Sequence, residues 1–583
     1  MQIRNFLLIW AFTVINLSAL YAQNAISGKI TDENGESVPG ALIKVLNTKL
    51  STTANVNGFF TLENVPSGKQ TITTSAVGMK SETKEILVKD GPQTLNFSLP
   101  LNIQQMETVS VIGRSKAQEA NRQAYNVTAI DARELYNTTL DISGALDRVA
   151  GIRVRESGGV GSNFNFSLNG FSGNRIRFFI DGIPMDNFGS SFQINNIPIN
   201  LAERVEVYKG VVPMWLGSDA LGGAVNIITG NRHKNFLDAS YSFGSFNTHR
   251  SVINTAATGK SGITLQISAF QNYSNNDYKV KIDPWDINTG LYTGTTRAIR
   301  RFHDTYHNES LIASTGVVDK KYADQLLVGI TLGKNYKEIQ TGPRMTTVFG
   351  QWHRRGNIVM PHLKYKKENL IKGLDVTLNA NYNFGQEQNI DTVSLRYNWL
   401  QETVTTGSGG ESTNRGLFKY GNNNGLATAM LNYKVNDRQS IAVSNTFNTF
   451  NRKGRDLQNP NNADNNIPRK QEKNVFGLGY LYNNQDKFSA TAFFKYLNLA
   501  TAVGGGTVRN QNFSRLGYGT AVTYFIHKDL QLKASYELSN RLPEPTEVFG
   551  DLENAVGNMS LKPEKSNNLN LGAIYGFALN SNS

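Results

Sequence analysis

The residues best suited to chemistry are few, and their spacing argues against catalysis. His303 and His307 in "HDTYH" stand four apart, the interval that puts two imidazoles on one helical face to hold zinc. Asp304 replaces the glutamate such a motif uses as its general base, and the neighbouring residues read as strand or loop, so a plain polar position is the better reading. Gly158 to Gly161 lacks the GxGxxG spacing and following helix of a phosphate cradle. Cysteine is absent, which removes disulfides, thiolate metal sites, cysteine nucleophiles and a lipid-modified N-terminal cysteine together. No catalytic constellation remains, so the expectation is a protein that is not an enzyme and needs neither a metal nor a cofactor.

The elements around these residues explain why. The chain has 583 residues, with 59 basic and 46 acidic side chains giving a net charge of +13. That excess is scattered in ones and twos, with "KYKK" at 364–367 among the few clusters, and no nucleic-acid-binding signature accompanies it. Nucleic acid is not an expected partner. Mean hydropathy is −0.36, and beyond the N-terminus no run approaches the ~18 apolar residues of a spanning helix. The start reads as an export signal over residues 1–22: Arg4, the apolar "FLLIWAFTVINLSAL", then Ala22 before Gln23.

Three textures follow. Residues 23–100 alternate in short runs separated by turns, with Asn34-Gly35 and Asn57-Gly58 as hairpin-type signals, and predict a small β-sandwich. Residues 101–120 form a polar linker holding one extended run, Glu107 to Ile112, whose free backbone edge a partner's sheet can capture. Its Val109 and Val111 could instead form another strand of a neighbouring domain. Residues 121–232 mix short helices and strands: "DISGALDRVAGIRV" reads as helix then strand, "RIRFFIDGIPMD" as a strand ending in a turn, and "IPINLAERVEVYKG" as a turn or helix then a strand. That stretch predicts a compact α+β domain.

From 233 to 583 long period-two runs take over. In "LDVTLNANYNF", Leu374, Val376, Leu378, Ala380, Tyr382 and Phe384 oppose Asp375, Thr377, Asn379, Asn381 and Asn383, and "LDASYSF" repeats the arrangement. Roughly fourteen such segments are expected, many near the ~10 residues of a membrane-spanning strand. Connections alternate between short ("TGKSG", "KVNDRQS", "NNQDK") and long (275–302, 334–355, 385–424, 451–473, 500–512, 541–566). A soluble sandwich has no reason to sort loops by parity, whereas an outer-membrane barrel does. Tyr241, Phe243, Tyr382, Phe384, Tyr496, Tyr536 and Tyr575 suit its interfacial girdles. The expected fold is mainly β: a sandwich, an α+β plug, and a transmembrane antiparallel β-barrel.

Sequence motifs give this a family. "GKITDENGESVPGALIKV" with "NGFFTLENVPSGKQTITTSAVG" resembles the carboxypeptidase-regulatory-like domain. "GIRVRESGGVGSNFNFSLNGFSGNRIRFFIDGIPMDN" followed by "NLAERVEVYKGVVPMWLGSDALGGAVNIIT" closely resembles the plug of TonB-dependent outer-membrane receptors. The motif residues are Asn169, Gly170, Asp181, Gly182, Glu203, Arg204, Glu206, Lys209, Gly210, Gly217, Gly222 and Gly223. The resemblance implies that Glu203, Arg204 and Glu206 help lock the plug to the barrel wall, and that Gly217, Gly222 and Gly223 permit close approach there. Asn169-Gly170 stands where the family often has Arg-Gly. "RLPEPTEVFG" and "GNMSLKPEKSNNLNLG", with Arg541, Pro543, Glu547, Pro563 and Glu564, resemble a late outer loop and strand of the barrel. In "METVSVIG", Glu107, Thr108, Val109, Ser110 and Val111 look like the TonB box, which pairs with the periplasmic energy-coupling protein.

The resemblance implies active transport of a scarce nutrient across the outer membrane of a Gram-negative bacterium. The implied cargo is a ferric siderophore or related iron chelate; haem, cobalamin, an oligosaccharide or a non-transporting receptor are the alternatives. The TonB complex, outer-membrane lipid and a small ligand are the implied partners. "KGVVPMWLGSDALGGAVNI" is unlike the starch-utilisation-type glycan receptors. Because family barrels have 22 strands, the expectation is a C-terminally truncated sequence.

Overall fold

The computed structural model describes residues 24–100 except 78, and 115–576 except 137, 190–191, 231–234, 408–409, 413–415, 459, 462–466, 485–486, 505–508, 528 and 551–555. The export segment at 1–22 and the coupling residues Glu107 to Val111 lie outside the described residues. The chain divides into two compact units, Met1–Gly113 and Arg114–Ser583.

In the first unit, alternation does what the sequence predicts. Ile26–Asp32 pairs with Phe59–Leu62, Gln93–Thr94 and Phe97–Leu99, while Leu42–Val45, Ser51–Thr53, Gly68–Ser75 and Glu82–Val88 form a second sheet. Ile26, Ile30, Ile43, Val45, Ile72, Phe97 and Leu99 are buried in the shared core. One detail differs. Asn57-Gly58 turns between Ser51–Thr53 and Phe59–Leu62, which belong to different sheets, so it is a sheet-crossing turn and not a hairpin. The Asn55 side chain takes the place of ladder bonds, accepting the backbone N–H of Asn57 and Phe59.

The second unit begins with a short helix, Lys116–Asn121, whose Ser115 cap is completed by Gln118 in a capping box. A five-stranded sheet follows, in the spatial order Ile183–Pro184, Ile176–Ile180, Gly223–Ile228, Arg204–Lys209, Val127–Asp131. A three-stranded sheet (Ile152–Glu156, Phe164–Leu168, Phe171–Ser172) and the helix Ile142–Leu146 complete the α+β domain.

Around it stands one large antiparallel sheet. A continuous path of fourteen strands runs from Phe236–Gly244 to Glu564–Tyr575, and two further strands, Gln386–Asp391 and Gly416–Asn422, extend it above Leu374–Asn383. Among the described residues the first and last strands of the path do not pair with each other. The alternation is inverted relative to a soluble protein: Asn379, Asn381 and Asn383 are buried, while Leu378, Tyr382 and Phe384 face outward. Tyr241, Phe243, Tyr496 and Tyr575 are exposed as well. Such a surface suits hydrocarbon.

Short connections such as 321–322 and 437–438 lie at one end and long ones at the other. Most of the long segments are shorter than predicted, because the strands continue through them; the one predicted at 275–302 instead runs to 305. The 451–473 segment, for example, contains the end of Gln439–Asp456 and the start of Arg469–Asn484. Where both faces are polar the period-two signal vanishes, although the hydrogen-bond ladder persists.

Candidate functional site

The seam between plug and wall brings the charged residues together. In the Ile176–Ile180 strand, "IRFFI", Arg177 is the one polar residue in an apolar run and is buried. Its guanidinium donates Nε to Asp219 Oδ1 at 2.9 Å and Nη2 to Asp219 Oδ2 at 3.1 Å, the planar two-pronged geometry arginine favours. It also donates to Glu544, which belongs to the connection ahead of the helix Pro545–Phe549. Lys473 of the wall donates to Glu544 at 3.0 Å and lies 3.6 Å from Asp186 and 3.7 Å from Asp219. Two cations thus meet three carboxylates. Burial would push the Glu544 carboxyl up, but Arg177 and Lys473 outweigh it and hold it down at about 2. A buried charge set of this kind is costly to leave half-complete.

A second cluster adjoins. Arg541 donates to Glu547 at 2.8 Å and to Glu564 at 2.8 Å, and Glu564 accepts Arg175 of the plug at 3.0 Å. Asp181, at the turn after the Arg177 strand, accepts the Thr229 backbone N–H at 2.9 Å, its hydroxyl at 2.7 Å, and Lys364 of the wall at 2.8 Å. Burial disfavours the Asp181 carboxylate, yet Lys364 and Thr229 prevail and its carboxyl sits below the usual range.

The rest of the seam is largely amide to carbonyl. Wall residues Asn254, Asn272, Asn383 and Asn568 donate Nδ2 to the plug carbonyls of Asn200, Asn196, Asn187 and Leu221 at 2.6–3.1 Å. Lys533 of the wall donates to the carbonyls of Asn121, Gln123 and Tyr125 at 2.7, 3.2 and 2.8 Å, at the end of the Lys116–Asn121 helix. Apolar patches close the gaps: Val252, Phe270, Ile358 and Met360 of the wall pack into the plug core.

The predicted residues separate into groups. Asp181, Arg541, Glu547 and Glu564 join the seam, and the Pro543 carbonyl accepts Gln471 there. Pro563, half-buried, immediately precedes the last strand. Gly182 completes the Asp181 turn, both residues having positive φ. Asn169-Gly170 does the same in the hairpin between Phe164–Leu168 and Phe171–Ser172; it is exposed, and an Asn-Gly pair there is turn chemistry.

Glu203, Arg204 and Glu206 depart from the expected role. Among the described residues Glu203 pairs with Lys116, and Arg204 pairs with Glu206, which also accepts Tyr208 and Asn226. These contacts brace the plug and its leading helix; they do not reach the wall. Lys209 donates to the Ala150 carbonyl, also within the plug.

The glycines divide as well. A Cβ on Gly217 would come within 1.9 Å of Thr446 of the wall, and one on Gly210 within 2.4 Å of Asn570. Gly222 and Gly223 instead face Phe171, Tyr208 and Leu168 of the plug itself. The Gly158–Gly161 loop meets Asn276 and Tyr306 of the wall, so its glycines serve close packing. His303 is buried against the Trp352 carbonyl and His307 pairs with Glu309, on a strand and not a helix. The locking residues that sequence reasoning missed include Arg175, Arg177, Asp186, Asp219, Lys364, Lys473 and Glu544. A lone arginine inside "IRFFI" was the available signal.

An α+β plug gripped inside a long-stranded membrane wall defines a class, and comparison supplies the family. Residues 119–224 match the model of the TonB-dependent receptor plug domain, 305–582 that of the TonB-dependent receptor-like β-barrel, and 26–111 that of the carboxypeptidase-regulatory-like domain. The chain belongs to the TonB-dependent receptors, which are outer-membrane β-barrel proteins. No helix among the described residues is long and apolar enough to cross a membrane.

The vitamin B12 transporter BtuB of Vibrio vulnificus is 28% identical over 247 residues, 40% of this chain and 38% of that protein. A TonB-dependent receptor of Formosa agariphila is 27% identical over 231 residues, 38% of this chain and 21% of the relative. The matched part is therefore well under half the length of either relative. In fold, the chain resembles the FrpB iron transporter from Neisseria meningitidis, with a TM-score of 0.57 and 12% identity over 78% of this chain and 70% of that one. It likewise resembles the siderophore receptor PiuA from Acinetobacter baumannii, with a TM-score of 0.55 and 12% identity over 80% and 72%. These relatives are transporters and receptors, not enzymes.

Proposed function

We propose that this chain acts in energy-coupled uptake of a scarce nutrient across the outer membrane of a Gram-negative bacterium, after export by residues 1–22, with a ferric siderophore or related iron chelate as cargo. The observation that carries this is the seam itself. Its ion pairs and amide–carbonyl bonds can be exchanged for water when the plug is pulled, which leaves the apolar contacts of Val252, Phe270, Ile358 and Met360 as the costly part of the seam to open. The linker predicted at 101–120 ends ahead of the Lys116–Asn121 helix, which belongs with the plug, and Glu107 to Val111 act as the TonB box that pairs edge-to-edge with the energy-coupling protein. Residues 121–232 are the plug and 233–583 belong to the barrel. Ligand binds between the long connections and the plug face beneath them.

Cobalamin is the second cargo to test, because a stretch covering 40% of the chain resembles a vitamin B12 transporter. The experiment is uptake of labelled ferric siderophore, cobalamin, haem and glycan in cells lacking other receptors, with and without Glu107 to Val111. Uptake of one cargo that disappears on deletion is the expected result. Equal entry of every cargo with and without the segment rejects the transport reading, and surface binding without any uptake supports a non-transporting receptor.

A further inference from the structure

Two arginines face each other across the inner wall, and among the described residues no carboxylate pairs with either. Arg452 of Gln439–Asp456 and Arg469 of Arg469–Asn484 are direct cross-strand partners. They lie on the same face as Gln471 and Lys473, the inward one, at the end of the wall that carries the long connections. Like charges directly opposite on a sheet destabilise it. Among the described residues neither arginine makes an ion pair, and Arg452 Nε is buried without a hydrogen-bond partner.

The surroundings point the same way. Tyr420, on Gly416–Asn422, is 7% exposed and its hydroxyl has no hydrogen-bond partner among the described residues. The Arg452 guanidinium lies 5.6 Å from the Tyr420 ring centre and 5.1 Å from that of Phe450, which stacks on Phe549 at 5.8 Å. Among the described residues, the carboxylates on this inner face of the neighbouring strands are Glu387, cross-strand from Tyr420, Asp391, which accepts the backbone N–H of Glu411 and Ser412, and Asp456, which accepts the backbone N–H of Leu417 and Gln458. A buried donor without an acceptor and a repelling cation pair both cost stability, and one ligand relieves both.

We propose that Arg452, Arg469 and Tyr420 form an oxyanion-binding subsite for a multiply charged carboxylate or phenolate chelate, with the phenol donating to an oxygen and the guanidiniums gripping others in planar pairs. This rests on the transport reading and narrows it, since it favours an anionic cargo over a neutral one such as cobalamin. The subsite lies four residues along the strand from Lys473, a member of the Arg177–Glu544 cluster, so occupation places negative charge next to the set that holds the plug.

The test uses the full chain in detergent micelles, with citrate and ferric citrate as probes against chloride of equal ionic strength, and cyanocobalamin as the neutral comparison. Saturable citrate binding is expected, weakened roughly 10–100-fold by Arg452→Gln or Arg469→Gln, with Arg452→Lys retaining part of it. The ligand-free double glutamine variant is expected to melt no lower than the parent, because repulsion has been removed; this separates a lost site from a misfolded protein. Absence of saturable citrate binding, or equal binding by the double variant, overturns the proposal. So does citrate binding seen only after Asp464→Asn, because that carboxylate would then be the natural counter-charge.

Binding to purified protein does not need Glu107 to Val111. Retained citrate binding with uptake indifferent to that deletion would reject transport and leave the subsite standing.

Discussion

The wall holds the plug in two chemically different ways. Around Arg177 two cations are surrounded by Asp186, Asp219 and Glu544. At the end of the Lys116–Asn121 helix, Lys533 spends its ammonium protons on three backbone carbonyls, and Arg122 stacks 4.0 Å from the Phe525 ring. The first grip is mutual charge neutralisation and fails all at once. The second is ion–dipole, depends on local backbone shape, and can be peeled one carbonyl at a time. The peelable grip sits where the chain enters from residues 101–120, the segment on which pulling would act, and the all-or-none grip is anchored deeper in the plug sheet.

The contrast can be broken most forcefully at Arg177. Arg177→Met leaves Asp219 and Glu544 buried with a single cation, at a cost of about 3–5 kcal/mol. Plug strands are expected to gain amide exchange broadly, read by hydrogen–deuterium exchange; local change confined to 176–180 would contradict the all-or-none description.

Acid attacks the same grip. The Glu544 carboxyl is held at about 2 in the folded protein against an ordinary value of 4.5. Its contribution is therefore complete above 4.5 and is lost as pH falls toward 2. Protease sensitivity of the plug is expected to rise in that window, with Glu544→Gln flattening the profile, while the Lys533 grip stays intact.

Lys533→Met sharpens the comparison from the other side. Losing charge-assisted bonds to carbonyls costs about 1.5–3 kcal/mol, and faster exchange is expected only over 116–131. If the Arg177 strand loosens equally, the two grips are one cooperative unit. The smallest effect is expected at Gly170, in a positive-φ turn open to solvent: Gly170→Ala costs about 1 kcal/mol in melting experiments and leaves both grips unchanged.

The sequence revealed the architecture because alternation is strong wherever one face meets lipid. "LDVTLNANYNF" reads as a wall strand on sight, and the plug's Asn169-Gly170 and Asp181-Gly182 announce turns that only such pairs make easily. The seam was less legible. Arg177, Asp219, Lys473 and Glu544 are separated by up to 367 residues and carry no shared local pattern. Glu203, Arg204 and Glu206 had the pattern, yet their partners lie within the plug or its leading helix. Strand ends were misplaced for a related reason: outside the lipid, water satisfies either face, so "NRKGRD" at 451–456 looks like loop although it continues a ladder.

Those continued ladders have a further consequence. His353–Ile371 and Arg509–His527 each run 19 residues. At ~3.3 Å per residue and a tilt near ~45°, such a strand rises about 44 Å, against an apolar band of about 25 Å. Much of the surplus stands above the bilayer on the side of the long connections. If the chain transports as proposed, this rim of hydrogen-bonded sheet screens ligands by size before any side chain makes a specific contact.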